Sequence, residues 1–433
     1  MEISFKKCTI GDNISLSAMK TERFKTSVLK LSIAMPATVD ERDTALFALM
    51  INVLKCGTQK YPEKSDIIKR LGDLYDASCY VGGYALGDNR ILEISSEMLS
   101  DRFSDEESIL GGVTELIDQL LYHPAVDEKG FFLSENVNIQ KSVICDKIKS
   151  EKNNSRSYAF KRCREIMCAG EPYGCAVKTD AILKITPEEL TDYYKSFIAR
   201  SELSFSYIGD EDIAKVAEII EKYFKNEPIG KSVPILPLSC RTSAEVKRCE
   251  EELEIKQGIL IMGFRSGILL GDRLSDAMRV FNNIFGGTST SRLFTVVREK
   301  MGLCYYCDTD YVNTKGLLFV SSGISVDKRE TVEGEILRQL DKLKNEPINE
   351  DELDSAKDMA VKELKEMCDY QSSVAAFKYA MEIYGFDCDV EKIISRLRSV
   401  TAEDILEIAQ KITLDTVFFL KGNAQDEEAD GDE

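Results

Sequence analysis

The apolar positions of this chain fall into two periodicities. Val28 to Ile33, Ile91 to Ile94, Leu203 to Ile208, Leu253 to Met262, Leu317 to Ile324 and Thr416 to Leu420 alternate with polar residues or run in β-branched ones, which predicts strands. Thr44 to Leu54, Ile109 to Leu121, Ser275 to Ile284, Val332 to Leu343 and Asp351 to Met367 space their apolar residues as one face of a helix. Two helix starts are marked. Thr186 precedes Pro187 with Glu189 three residues on, the arrangement of a capping box, and Thr401 with Asp404 is a poorer copy.

The same order of elements appears twice. Asn52, Gly57, Thr58, Gly72 and Tyr75 match Asn282, Gly287, Thr288, Gly302 and Tyr305 at one constant offset of 230 residues. Ile185 to Leu190 and Val400 to Ile405 each open a helix that leads to a strand and then to a glycine, Gly209 or Gly422. The closing pair lies 215 residues apart, so the first half carries extra residues, placed near Ser104 to Glu107 and Lys129 to Glu135. Pro228, Pro234 and Pro237 with Gly230, Lys231 and Ser232 have the composition of a linker. The expected fold is therefore α+β, two tandem homologous α/β domains over residues 1–226 and 249–423 joined by a linker at 227–248.

A chain of 433 residues with 30% charged and 43% hydrophobic residues has the balance of a soluble globular protein and is long enough for more than one core. Its formal charge of -19 opposes nucleic-acid binding, which needs clustered Lys and Arg. Six of the last eight residues are acidic, and 424–433 reads as a solvated, disordered tail. Neither a signal peptide nor a stretch of roughly 18 apolar residues is evident. With thirteen cysteines scattered from Cys8 to Cys388 as small hydrophobes, a cytoplasmic location is expected, with no membrane partner.

One histidine, His123, excludes a self-sufficient histidine-based hydrolase. It follows a predicted helix, where histidine caps carbonyls. Cys304 and Cys307 form the chain's Cys-x-x-Cys, but on a regular strand the two point to opposite faces, so packing is expected of them. Gly263 to Gly271 lacks the Gly-Lys-Ser/Thr ending of a phosphate loop. Two segments remain. In the first, Ala45 to Thr58, Ala48, Ile51 and Asn52 lie on one side of a helix at a spacing suited to gripping a metal, yet as residues they read as a core-facing surface. The second, Gly286 to Tyr306, sets a small-residue turn before an apolar stripe, with Arg298 off the stripe and Tyr305 seven residues on. An arginine fork and a phenol together can hold a peptide carbonyl, although alone they read as a surface Arg and a strand Tyr.

The run GGTSTSRLFTVVREKMGLCYY resembles the C-terminal-half motif of the insulinase and processing-peptidase superfamily, the inverzincins, and ALFALMINVLKCGT is similar without gaps to the segment where active members carry His-x-x-Glu-His. The resemblance spans residues 1 to 423 and implies one half of a clamshell built from two such domains. Residue by residue, the two zinc histidines fall on Ala48 and Asn52, the general-base glutamate on Ile51, and the acidic pair of the downstream helix on Asp146 and Lys147. The resemblance thus implies no catalytic residue, no metal and no cofactor in this chain, with zinc expected in a partner subunit. Arg298 and Tyr305 match the family's substrate-binding arginine and tyrosine.

This pattern is similar to that of the inactive members found in Gram-positive bacteria beside an active homologue. It implies a non-catalytic, peptide-binding subunit, inactive alone, that pairs with a His-x-x-Glu-His chain as a heterodimer, or with itself as a homodimer. The alternative is a proteolytically inert scaffold or adaptor; some such relatives carry names tied to modification of elongation factor P.

Overall fold

The architecture comes from a computed structural model, which describes residues 4–104, 108–228, 230, 233–242 and 245–423. The acidic tail at 424–433 and part of the expected insertion near Ser104 to Glu107 lie outside the described residues.

Strands β1 (Lys6–Ile10), β2 (Ile14–Lys20), β3 (Thr26–Pro36), β4 (Tyr80–Leu86), β5 (Asn89–Leu99) and β6 (Leu203–Gly209) form one sheet in the order β1-β2-β6-β3-β5-β4. Strands β7 (Lys247–Leu253), β8 (Gly258–Arg265), β9 (Cys304–Val312), β10 (Leu317–Ile324) and β11 (Thr413–Gly422) form a second in the order β7-β11-β8-β10-β9. The β2–β6 and β7–β11 pairs are parallel and the others antiparallel. Position for position, β7-β11-β8-β10-β9 repeats β2-β6-β3-β5-β4, so the duplication legible in five scattered identities is a duplication of topology. This is the expected α+β arrangement of two homologous sheets with helices. The central strands β3, β8 and β10 are apolar and buried along nearly their whole length, as strands covered on both faces must be.

The compact units are not the contiguous stretches 1–226 and 249–423. One comprises Met1–Lys149, Gly170–Pro237 and Met367–Val390, the other Ser150–Ala169, Leu238–Glu366 and Glu391–Glu433. The Ser155–Met167 helix, which precedes the first unit's last strand, packs on β8 and β11, while the Gln371–Ile383 helix packs on β3 and β6. Each exchange has a specific cause. In the second unit, Arg265 on β8 is ion-paired with Asp415 on β11 at 2.7 Å and donates to the Met167 carbonyl at 3.0 Å, all in buried surroundings. In the first, the Gln371 amide donates to the carbonyls of Thr26 and Ile208. The expected linker is divided too, because residues up to Pro237 belong to the first unit, where the Asn89 side chain binds both the N–H and the C=O of Leu236.

Other departures are local. The strand read as Leu253 to Met262 is two strands, since the chain leaves β7 after Leu253 and enters β8 at Gly258. The two helix caps exchange rank. At Thr401 the box is reciprocal, Asp404 N–H donating to the Thr401 hydroxyl and Thr401 N–H to the Asp404 carboxylate at 3.0 Å. At Thr186 only the first of these bonds forms, because Arg42 takes the Glu189 carboxylate instead.

Removing one member of the Arg265–Asp415 pair strands a charge in the second unit's core. Asp415→Ala is expected to cost about 3–5 kcal/mol, read as a lower midpoint in urea unfolding, whereas the paired change Arg265→Met with Asp415→Leu costs less than Asp415→Ala alone.

Candidate functional site

The Glu41–Leu54 helix begins at Asp40, whose carboxylate accepts from the Arg42 N–H at 2.8 Å, and carries Glu41 and Asp43 in its first turn. Both features favour this end, because the first amides lack intrahelical acceptors and carry partial positive charge. Within it, Ile51 is 5% exposed and packs toward β4, where Gly83 leaves room: a Cβ there would come within 2.5 Å of the Ile51 Cδ1. Asn52 donates its side-chain amide to the Ala48 carbonyl at 2.8 Å. Ala48 and Ile51 therefore have no donor atom for a metal, and the Asn52 amide is engaged on its own helix. In the Ser134–Ser150 helix, Asp146 and Lys147 are both exposed, and Asp146 is ion-paired with Lys149 at 3.5 Å. All five positions lie in the first unit.

In the second unit, the Ser275–Asn282 helix does not run on as an α-helix to Ile284. It widens into a π-helical turn at Asn283–Gly287, and a second such turn follows at Leu293–Lys300, where the Met301 N–H reaches back five residues to the Val296 carbonyl at 3.0 Å. Gly286 allows the first turn to lie against β9, since a Cβ there would come within 2.5 Å of Thr309. Arg292 fixes the second turn through a two-pronged pair with Glu352 at 2.7 and 2.9 Å. Leu293 and Val297 are buried, which turns Arg298 outward. Its guanidinium stacks over the Phe294 ring at 4.5 Å and has no carboxylate partner among the described residues.

Tyr305 is 67% exposed on β9, the edge strand of its sheet. The pairing with β10 slips there. Ile324 faces Cys304 and Gly323 faces Tyr306, so Tyr305 is the extra residue of a β-bulge, a device that redirects a side chain at a sheet edge. The bulge also corrects the expectation for Cys304 and Cys307. One added residue restores both to the same side, and the two thiols interact. A hydrogen bond from Cys307, aided by Ser322 and the charge of Arg298, outweighs burial and brings the Cys304 thiol down to about 7. Cys307 is held well above the usual thiol range, chiefly by that same bond. Arg298 is thus close enough to act on the residue next to Tyr305, a grouping whose sequence signal, the Cys-x-x-Cys, is masked by the strand's apparent regularity.

His123 does terminate the Ile109–Tyr122 helix, its N–H bonding to the Gln119 carbonyl at 3.1 Å. Its ring lies against Asp118 and Glu227. Among the described residues, no helix is long and apolar enough to cross a membrane.

Two repeated α/β units with a parallel closing strand are the fold of the M16-like peptidases. The chain superposes on a conserved protein from Enterococcus faecalis V583 with a TM-score of 0.87, at 22% identity over 98% of this chain and 100% of that one. It superposes on the M16 peptidase inactive domain protein from Pseudomonas fluorescens with a TM-score of 0.79, at 18% identity over 98% of this chain and 100% of that one. Residues 184–360 match the family description "Peptidase M16 inactive domain". A probable inactive metalloprotease of Bacillus subtilis, YmfF, is 31% identical over 407 residues, 93% of this chain and 95% of that protein. The chain belongs to the M16 peptidase family and is an inactive metalloprotease homologue.

Two outcomes are expected at these positions. Ile51→Glu sets a carboxylate against Phe47 and Gly83 without a partner and lowers stability by roughly 2 kcal/mol or more, measured by urea unfolding. Peptide-resolved alkylation of Cys304 has its midpoint near pH 7, the deprotonated thiol being the reactive form; Cys307→Ala moves that midpoint upward, toward the ordinary thiol range.

Proposed function

We propose that this chain is the non-catalytic, substrate-binding subunit of a cytoplasmic zinc metallopeptidase acting on peptides. Its partner is an M16 homologue that carries His-x-x-Glu-His and supplies the zinc, the two chains closing as a clamshell. The observation that carries this reading is the pairing of an outward Arg298, without a carboxylate partner among the described residues, with a Tyr305 lifted from an edge strand by a bulge. Apart from its stacking on Phe294, the Arg298 guanidinium has no carboxylate partner among the described residues, and the Tyr305 phenol is largely in solvent. Both are donors directed away from the fold, and a peptide carbonyl is the acceptor that suits them.

Three further facts support the reading. The Glu41–Leu54 helix, where the resemblance puts the zinc motif, is a regular helix whose Ile51 packs against Gly83. β9 has an unpaired outer edge among the described strands, which can add an extended peptide through backbone hydrogen bonds. Finally, the thirteen cysteines are all free thiols, as a reducing compartment requires.

Arg298 and Tyr305 would hold the peptide and meet the charge that develops on the scissile carbonyl oxygen, while the partner's metal performs the hydrolysis. Such donors count most in the transition state, where charge on oxygen is greatest. With the chain co-purified beside its His-x-x-Glu-His homologue, Arg298→Ala is expected to leave the complex intact by size-exclusion chromatography and to slow cleavage of a fluorogenic peptide by roughly 10²-fold. Tyr305→Phe slows it less, having lost one hydroxyl. Cleavage at the wild-type rate by an assembled Arg298→Ala complex would overturn the proposal and favour the inert scaffold.

A further inference from the structure

The chain's single histidine stands among ligand-type groups. His123 Nε2 lies 3.5 Å from Asp118 Oδ2 and 3.4 Å from Glu227 Oε1, and the three donor atoms lie within 4.8 Å of one another. A tetrahedral zinc ion bound at 2.0–2.2 Å separates its donors by about 3.4 Å. Two of the three separations match that value as they stand, and the third, between the two carboxylates, lies within 4.8 Å.

These groups are assembled by two helix ends. Asp118 is in the last turns of the Ile109–Tyr122 helix, His123 is the residue that ends it, and Glu227 lies three residues beyond the end of the Ile213–Phe224 helix. Tyr122 and Phe224 meet edge to face at 6.0 Å, which fixes the two ends side by side. Helix C-termini carry partial negative charge on their unpaired carbonyls. Two such ends with two carboxylates therefore make a pronounced negative centre inside the first unit. The imidazole is held in place through its backbone, whose N–H bonds to Gln119 and whose carbonyl accepts from the Gln59 N–H at 2.8 Å.

The negative charge at this centre is not fully compensated. Asp118 is 5% exposed, yet its Oδ1 has no hydrogen-bond partner among the described residues, and neither has the buried hydroxyl of Tyr122. Its Oδ2 receives only a long bond from Gln119 at 3.5 Å besides the imidazole. A buried carboxylate oxygen without a donor is costly. A divalent cation between the three groups would offset the charge of the Asp118 carboxylate, which the imidazole reaches at 3.5 Å through the same nitrogen that lies 3.4 Å from Glu227.

We propose that Asp118, His123 and Glu227 form a binding site for one divalent cation of the zinc class, with one imidazole nitrogen and two carboxylate oxygens as its protein ligands. The donor set suits such an ion. Imidazole selects against magnesium and calcium, and the absence of sulfur among the three disfavours copper(I). The cation would clamp the end of the Ile109–Tyr122 helix to the segment that leaves the Ile213–Phe224 helix, and so act on the architecture of the first unit.

Because the sequence has one histidine, isotopic labelling of histidine gives a single imidazole to observe by NMR, undisturbed by the free thiols that also take up zinc. At mildly alkaline pH, one equivalent of Zn²⁺ is expected to shift that imidazole in a saturable way. Asp118→Asn and Glu227→Gln should each weaken the effect by more than the roughly 10- to 100-fold that follows loss of a supporting contact around a metal. Zinc uptake that leaves the wild-type imidazole unmoved would overturn the site outright and identify the cluster as an ion pair only. So would an imidazole shift of unchanged affinity in both variants, each checked for native circular dichroism.

Discussion

Each sheet depends on one pairing, the return of its last strand into its middle. β6 lies parallel to β2 and antiparallel to β3, and β11 lies in the same way between β7 and β8. Ile14 thus pairs with Leu203 across most of the first half of the chain. Contacts so distant in sequence are costly in chain entropy, and they form only when the helices between have given up their own freedom. The pairing also decides what is left over. With the centre of each sheet filled by the returning strand, the hairpin strands β4 and β9 fall at the edges, so the bulge that carries Tyr305 is at an edge because β11 is not.

The same constraint explains which features were legible in the sequence. Helices such as Ile109–Tyr122 and strands such as Leu317–Ile324 are stated by periodicity, because one face or both are sealed by local apolar residues. The repeat was legible because glycines and turn residues recur where the topology recurs. The exchange of the Ser155–Met167 and Gln371–Ile383 helices was not, since it rests on Arg265, Asp415 and Gln371 meeting groups 98 or more residues away. The rank of the two caps is hidden in the sequence for a similar reason. Glu189 has the better local pattern, but Arg42, distant in sequence, competes for its carboxylate.

At the candidate sites, residue type was legible and environment was not. Ala48 and Ile51 offer no metal donor, and Arg298 and Tyr305 stand in a recognisable run. What the sequence conceals is the bulge. Period-two alternation places Cys304 and Cys307 on opposite faces, and a single inserted residue reverses that, joins the two thiols and turns the Tyr305 phenol outward. Nothing in the strand's composition marks the insertion. It is imposed by the register of β10, which is fixed in turn by β8.

Under the proposed function, loss of the zinc motif and retention of the fold are one physical event seen from two sides. A His-x-x-Glu-His helix holds polar groups toward a metal, and removing the metal alone would leave them buried and unsatisfied. In this chain Ile51 packs against Gly83 and Asn52 donates to the Ala48 carbonyl, apolar contact and one closed hydrogen bond where the proposed alignment puts the metal groups. Around His123 the accounting is the reverse. There a nine-tenths buried carboxylate keeps an oxygen without a donor beside the one imidazole of the chain. Such a buried group costs stability, and a cation at Asp118, His123 and Glu227 would offset its charge.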